Sequence, residues 1–281
     1  MSRSKSGIVV AGANGFVGTN LRRFLSENKI QVINLTRKKH RLFKSETGII
    51  FSDLANKNLI AKLKGCNALI HLIGIGAQTA DADYHSVNVE QTNKLIRLCK
   101  KANIKKIVYL SGLGVNESTT FGYFISKLKA EQLITASELD YTILRASYII
   151  GKDDPLTKNL QRQAKLGTIL IPGSGSYRLQ PISIDDVSRV IFLSVINKKL
   201  SNKIIDLVGP KTISFENFVR RFTKGKKIKI KKISAEKVYH DALSNPKNTV
   251  YGLDDLNIML GDFVASHKRL EKLFGIKLQT L

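Results

Sequence analysis

Residues 7–18, Gly-Ile-Val-Val-Ala-Gly-Ala-Asn-Gly-Phe-Val-Gly, limit the fold more tightly than any other stretch of the chain. Four apolar residues, Ile8 to Ala11, with no polar alternation predict a strand buried on both faces. The run breaks into glycines at Gly12, Gly15 and Gly18, and a helical pattern begins at Phe16. Strand, tight turn and helix start, in that order, make an anion site. The glycines let the backbone turn sharply and approach a pyrophosphate, while the helix presents unpaired N–H groups and the positive end of its dipole. Strand-to-helix turns also use glycine for purely steric reasons, so this reading depends on whether the remaining chain surrounds the unit with a parallel sheet.

The periodicity of the remaining chain predicts such a sheet. Phe16, Val17, Leu21, Phe24 and Leu25 give residues 16–27 a helical face. Nearly all-apolar strands follow at 31–36, 48–51, 67–73, 106–111 and 141–146, separated by a short helix ending near Gly65 and by helices at 84–102 and 123–137. Strands that are apolar on both faces and alternate with helices imply a parallel sheet between two helical layers, with a ligand over the strand C-termini. From Gly151 the rhythm changes to a helix carrying Leu156, Leu160 and Leu166, a turn-rich stretch at 171–176, a strand at 181–184 and a helix to Ile196 opened by a capping box at Ser183 and Asp186. The expected fold class is α/β, a Rossmann-type doubly wound parallel sheet with a smaller C-terminal α+β lobe. Residues 1–150 form the dinucleotide-binding domain, with 180–208 contributing to it, and 151–281 an interleaved lobe for substrate or partner.

With 281 residues and 43% apolar composition the chain can bury a large core. No apolar stretch reaches the ~18 residues a membrane span needs; residues 68–77 come nearest and are broken by His71, Gly74 and Gly76. The basic start before Ile8 resembles a signal peptide, but Gly12, Asn14 and Gly15 interrupt the apolar region too early. A soluble cytoplasmic protein is expected, at most peripheral to the inner face of a membrane. Cys66 and Cys99 form no C-x-x-C and suit a reducing compartment, and the five histidines show no metal-ligand spacing, so no metal is expected.

Net charge is +24, from 46 Lys and Arg against 22 Asp and Glu. Such a surface attracts anions. Its densest part is residues 220–232, where Ile228 and Ile230 alternate with lysines as in a strand with one wet face. An anionic protein or membrane surface is the partner this lobe would suit. No aromatic residues interleave with the lysines and no recognition motif accompanies them, so nucleic acid is not expected.

Two local patterns carry chemistry. An acid about 20 residues beyond the glycines would hold a ribose 2′-hydroxyl and repel a 2′-phosphate. Here no acid lies between Glu27 and Glu46, and the second strand ends at Thr36 before Arg37 and Lys38, whose charges can grip a phosphate. NADP(H) is therefore the preferred cofactor and NAD(H) the second. Tyr123 and Lys127, four apart on a predicted helix, share a face, and an ammonium near a phenol stabilises the phenolate for acid or base work on a carbonyl or alcohol.

The order of Gly12-Ala-Asn-Gly15-Phe-Val-Gly18, Ser52-Asp53-Leu54, Ala68-Leu-Ile-His71-Leu72, Asn88-Val89 with Thr92, Val108-Tyr-Leu-Ser111, Tyr123 with Lys127, Ile143-Leu-Arg145 and Gln180-Pro-Ile-Ser-Ile-Asp185 resembles the short-chain dehydrogenase/reductases, in their extended and atypical epimerase/dehydratase branch. Within that family, Ser111 to Gly114 and the basic stretch after the second strand look most like the nucleotide-binding accessory subunit of respiratory complex I and its stand-alone prokaryotic relatives. The resemblance implies that Asn14, Phe16 and Val17 lie against the pyrophosphate, Asp53 and Leu54 beside the adenine, and His71 and Leu72 along the ribose and diphosphate. It implies that Tyr123 is the acid/base, that Lys127 binds the nicotinamide ribose, and that Ser111 stands nearest to the family's substrate-binding hydroxyl. That hydroxyl usually lies one residue further on, where this chain has Gly112. Two functions follow as expectations: an NADP(H)-dependent oxidoreductase or epimerase/dehydratase acting on a small carbonyl, alcohol or sugar nucleotide, and a non-catalytic NADPH-binding subunit or sensor. Helices 84–102 and 123–137 are those that relatives use to form homodimers.

Overall fold

Ile8–Ala11 (β1) lies inside a seven-stranded sheet, where Ile8 and Val10 face one layer of helices and Val9 and Ala11 the other. An unbroken apolar run is what a strand covered on both faces requires. In the computed structural model, which describes residues 7–246 and 248–281, the other strands of this sheet are Val32–Thr36 (β2), Glu46–Ile50 (β3), Ala68–His71 (β4), Lys106–Gly112 (β5), Asp140–Ala146 (β6) and Lys203–Leu207 (β7). All pair in parallel, in the order β7-β6-β5-β4-β1-β2-β3. The direction of winding reverses between β1 and β4, which opens a crevice at their C-terminal ends. The basic residues before Gly7 lie outside the described residues.

Helices Phe16–Glu27 (α1), Lys57–Leu63 (α2), Gln91–Ala102 (α3), Gly122–Thr135 (α4) and Ile184–Ile196 (α6) cover the sheet, α1 and α6 on one face and α2, α3 and α4 on the other. Between α4 and α6 runs Pro155–Lys165 (α5), the first helix of the smaller lobe. There, Thr168–Pro172 pairs in parallel with Lys229–Ile233, and Phe215–Thr223 (α7), Ala235–Ser244 (α8) and Leu253–Met259 (α9) enclose a second core around Leu160, Ile169, Phe215 and Leu256. Ile228 and Ile230 are partly buried between exposed Lys227, Lys229 and Lys231, the alternation expected of a strand with one wet face, whereas the partly buried Ile233 falls on the opposite face. Among the described residues no helix is long and apolar enough to cross a membrane.

Three local features differ from the sequence-based expectation. The helix predicted from residue 84 opens with a π-helical turn, His85–Glu90, and Asn88 within it is fully buried. The Asn88 amide donates to Ser126 Oγ (2.9 Å) and the Ile75 carbonyl (3.1 Å), ties that compensate for the irregular turn. Ser183 caps α6, but Asp186 does not close the box; its carboxylate accepts the Gln279 N–H at 2.8 Å. That contact belongs to the third difference. His267–Phe274 (α10) leaves the lobe and returns to the sheet, where Leu270, Phe274, Ile276 and Leu278 join the core beneath α6.

A buried ion pair ties β3 to the glycine turn. Arg22 of α1 sends Nε and Nη2 to the Glu46 carboxylate at 2.8 and 2.7 Å, Nη2 to the Arg41 carbonyl at 2.7 Å and Nη1 to the Ala13 carbonyl at 3.2 Å. Burial alone would raise the Glu46 carboxyl, but the Arg22 guanidinium and the Phe43 N–H hold it below its ordinary range. Arg22→Met, which leaves Glu46 buried without its counter-ion, is expected to cost about 3–5 kcal/mol in denaturant unfolding, and adding Glu46→Leu to recover most of the loss. Because the folded value lies below the unfolded one, the stabilisation is present above the ordinary glutamate range and is lost as pH falls through the folded value. Acid titration of stability should therefore narrow the gap between the natural protein and the double variant.

Candidate active site

A cleft of about 560 Å³ lies over the C-terminal ends of β1 and β4, between the sheet and the lobe. Gly12, Gly15, Phe16, Val17, Gly18 and Leu72 line its sheet side. Gly12 has φ +85°, and a Cβ there would lie 2.6 Å from the Leu72 carbonyl carbon, while one at Gly18 would collide with the Gly12 carbonyl. The two glycines press the start of α1 onto the sheet. Gly15 caps that helix and offers no side chain to its first N–H groups, so the helix end is open toward the cleft; Asn14 is exposed at the bend. A turn with no side chain in the way and an unsatisfied helix N-terminus fit the diphosphate of a dinucleotide.

The residues expected at the adenosine end lie in the loops after β2 and β3 and are not part of this cleft's lining. Arg37 and Lys38 are exposed at the end of β2, and among the described residues neither has an ion-pair partner. Asp53 is exposed and accepts the Ala55 N–H at 2.9 Å, whereas Leu54 is buried in the core that contains Leu35 and Leu59. Of the pair expected along the ribose and diphosphate, Leu72 lines the cleft and His71 does not: its side chain is fully buried beneath it. The Ile73 N–H donates to His71 Nδ1 (3.3 Å), which leaves the proton on Nε2 facing Thr92 Oγ1 (2.8 Å), and the Thr92 hydroxyl donates to the Asn88 carbonyl (2.6 Å). Burial, then the nearby Lys127 charge, push His71 down to about 3, so the ring is a neutral support for the β4 end.

Tyr123 and Lys127, one turn apart on α4, both line the cleft. Burial pushes the Tyr123 phenol up to about 12, so it holds its proton at neutral pH. The Lys127 ammonium donates to the Leu110 carbonyl at 2.8 Å and sits 4.4 Å from the centre of the Tyr109 ring. Burial pushes it down to about 7, with the Glu131 carboxylate opposing that fall.

The structure gives Ser111 a different task from the one the resemblance implies. It borders the cleft, but its hydroxyl donates to Glu131 Oε1 at 2.6 Å, and Arg145 clamps the same buried carboxylate through Nη2 (2.6 Å) and Nε (3.1 Å). The position one residue on is filled by the phenol itself: a Cβ at Gly112 would lie 3.0 Å from the Tyr123 oxygen. Ser147, at the end of β6, is buried, lines the cleft and has no hydrogen-bond partner for its hydroxyl. Sequence reasoning missed Ser147, Arg162, Tyr251, Asp255 and Ile258. All but Ser147 come from the lobe, from α5, α9 and the loop before α9, segments far apart in the sequence that share no motif, and Ser147 lacks a motif too.

The model of the NAD(P)H-binding family matches residues 12–197. A mitochondrial NADH dehydrogenase [ubiquinone] 1 alpha subcomplex subunit 9 of Arabidopsis thaliana is 24% identical over 295 residues, covering 95% of this chain and 73% of that protein. A 2-alkyl-3-oxoalkanoate reductase of Stenotrophomonas maltophilia is 30% identical over 213 residues, 66% of this chain and 64% of the reductase. Among solved structures, the UDP-glucuronic acid 4-epimerase of Bacillus cereus with UDP-glucuronic acid and NAD superposes with a TM-score of 0.77 at 18% identity, over 98% of this chain and 95% of the epimerase.

Two outcomes test this geometry. Ser111→Ala is expected to cost about 1–3 kcal/mol in thermal unfolding, by leaving Glu131 short of a donor, and to leave dinucleotide affinity unchanged. The Lys127 value lies below the 10.5 of an ordinary lysine, so the charged amine weakens the ligand-free fold most below about pH 7 and progressively less as pH rises toward 10.5. The melting temperature of Lys127→Met relative to the natural protein should therefore rise as pH is lowered from about 9 to about 6.

Proposed function

The chain belongs to the NAD(P)H-binding family, and from that premise we propose an NADPH-dependent oxidoreductase in which Tyr123 passes a proton to the oxygen of a small carbonyl substrate. The observation that carries this reading is the placement of Tyr123 and Lys127 in the cleft wall, facing the same space as the glycine turn. Gly12, Gly18 and the open end of α1 would hold the cofactor's diphosphate, and Lys127 its nicotinamide ribose. When bound, the cofactor supplies a hydride to the carbonyl carbon. The neutral phenol supplies the proton that the carbonyl oxygen needs, and the Lys127 ammonium stabilises the phenolate left behind until solvent reprotonates it. Run backward, the same groups oxidise an alcohol, and the two directions in succession would invert a carbinol centre as an epimerase does.

The preference for NADPH over NADH rests on the lack of any acid between Glu27 and Glu46 and on Arg37 and Lys38 at the end of β2. NADPH is expected to bind at least about tenfold more tightly than NADH, and Arg37→Ala with Lys38→Ala to erase most of the difference. In a screen of carbonyl compounds for NADPH oxidation, Tyr123→Phe should lower kcat by about 10²–10⁴ while NADPH affinity holds. Unchanged turnover in that variant would refute the role of the phenol.

A second reading is favoured by one observation: the Ser111 proton is committed to Glu131 and residue 112 has no side chain, so the usual hydroxyl beside the phenol is missing. In that reading the protein holds NADPH without consuming it and meets an anionic partner through residues 220–232. Bound NADPH that survives purification and every carbonyl challenge would support it.

A further inference from the structure

On the lobe side of the Tyr123 phenol the cleft gives way to a second chamber of about 120 Å³. Tyr123, Tyr148 and Ile258 line both spaces, and Leu113, Phe124 and Phe263 close the far one. Its walls are mainly apolar, with Ser147, Tyr123 and Tyr148 contributing the polar part, and the Phe124 and Phe263 ring centres are 5.7 Å apart. The chamber goes with glycine at position 112. A Cβ at Gly112 would press on the phenol oxygen at 3.0 Å, so glycine there leaves room beside the hydroxyl of Tyr123, whose side chain borders both spaces.

A substrate oxygen in contact with that hydroxyl puts its carbon at that border. One substituent of the carbon must then enter the chamber and the other the main cleft. An alkyl group gains from such walls, whereas a sugar ring would lose water from several hydroxyls with few partners to replace it. Besides the Tyr123 phenol, Ser147 and Tyr148 are the polar side chains there, and among the described residues neither hydroxyl has a hydrogen-bond partner, enough for one or two oxygens. In the main cleft, Asp255 is committed to the Gly252 N–H (3.1 Å), but the exposed Arg162 makes no ion pair among the described residues, and a free guanidinium suits a carboxylate.

Resting on the assignment of Tyr123 as proton donor, we propose that this chamber is an alkyl pocket. The substrate is an oxo acid whose reacting carbon bears a compact hydrocarbon group and whose carboxylate lies toward Arg162, rather than a sugar nucleotide. An apolar cavity of about 150 Å³ accepts benzene, so this one accepts about four or five carbons.

A binding titration tests the proposal without turnover, since NADPH cannot reduce an alcohol. Calorimetry with a homologous series from 3-hydroxybutyrate to 3-hydroxydecanoate, and with UDP-glucose, is run on the full chain with and without saturating NADPH. Affinity is expected to rise about fourfold per methylene until the chamber fills and then to stop rising. Phe263→Ala should move that break to a longer chain and Ile258→Phe to a shorter one, and Arg162→Gln should weaken every acid alike. Affinity independent of chain length in both states, tighter binding of UDP-glucose than of any acid, or a break that neither variant moves would overturn the alkyl pocket. If the series shows the break but no ketone is ever reduced, the reductase reading falls and the pocket stands.

Discussion

A close approach of two backbones sets the terms for the rest of the molecule. Gly12 passes against the Leu72 carbonyl at the end of β4, and Gly18 brings the first turn of α1 down onto Gly12 itself. The contact holds helix and sheet together at the switch point and leaves the helix end without a cap. Most helices here are closed by a side chain, from Asn56, Asp154, Ser183, Ser214, Ser234 or Ser266, whereas α1 has only Gly15. α4 too opens without a side-chain cap, at Phe121, but the start of α1 follows the glycine turn, and its unsatisfied N–H groups in the cleft suit an anion.

Around the cleft the protein manages charge by burying groups in the form that tolerates burial. His71 is neutral and shares hydrogen bonds with Ile73 and Thr92; Tyr123 keeps its proton. Glu131 stays within the core because Arg145 and Ser111 satisfy its oxygens. Lys127 is the least comfortable member, held by one carbonyl and an aromatic face. A residue so placed costs stability in the ligand-free protein, a burden that active sites commonly carry.

The part of this architecture that obeys a period was legible beforehand. Ile8 to Ala11 and Ala68 to His71 are apolar on both faces because both faces are covered, and the alternation of strands and helices followed from spacing alone. The glycine positions and the Tyr123–Lys127 pair were legible because each is a local motif. What escaped were contacts between distant segments. Nothing near Ser111 announces that Glu131, itself clamped by Arg145, will claim its proton, and nothing near Asp186 announces Gln279. The lobe side of the cleft escaped most completely: Arg162 on α5, Ile258 on α9 and Tyr251 in the loop before α9 come from separate segments that only folding brings together.

Arg22 joins elements that, in the proposed reading, would serve different ends of a dinucleotide. Its guanidinium reaches the Ala13 carbonyl within the glycine turn and the Arg41 carbonyl in the loop that follows Arg37 and Lys38, while Glu46 neutralises it. The two recognition segments are thus not independent modules. Redesign of the basic loop to change coenzyme choice would have to keep a carbonyl at residue 41 within reach of that guanidinium, or the disturbance would travel to the bend beneath the diphosphate. With coenzyme choice resting on Arg37 and Lys38 as proposed, side-chain exchanges at those two residues would disturb this brace less than insertions or deletions in the loop.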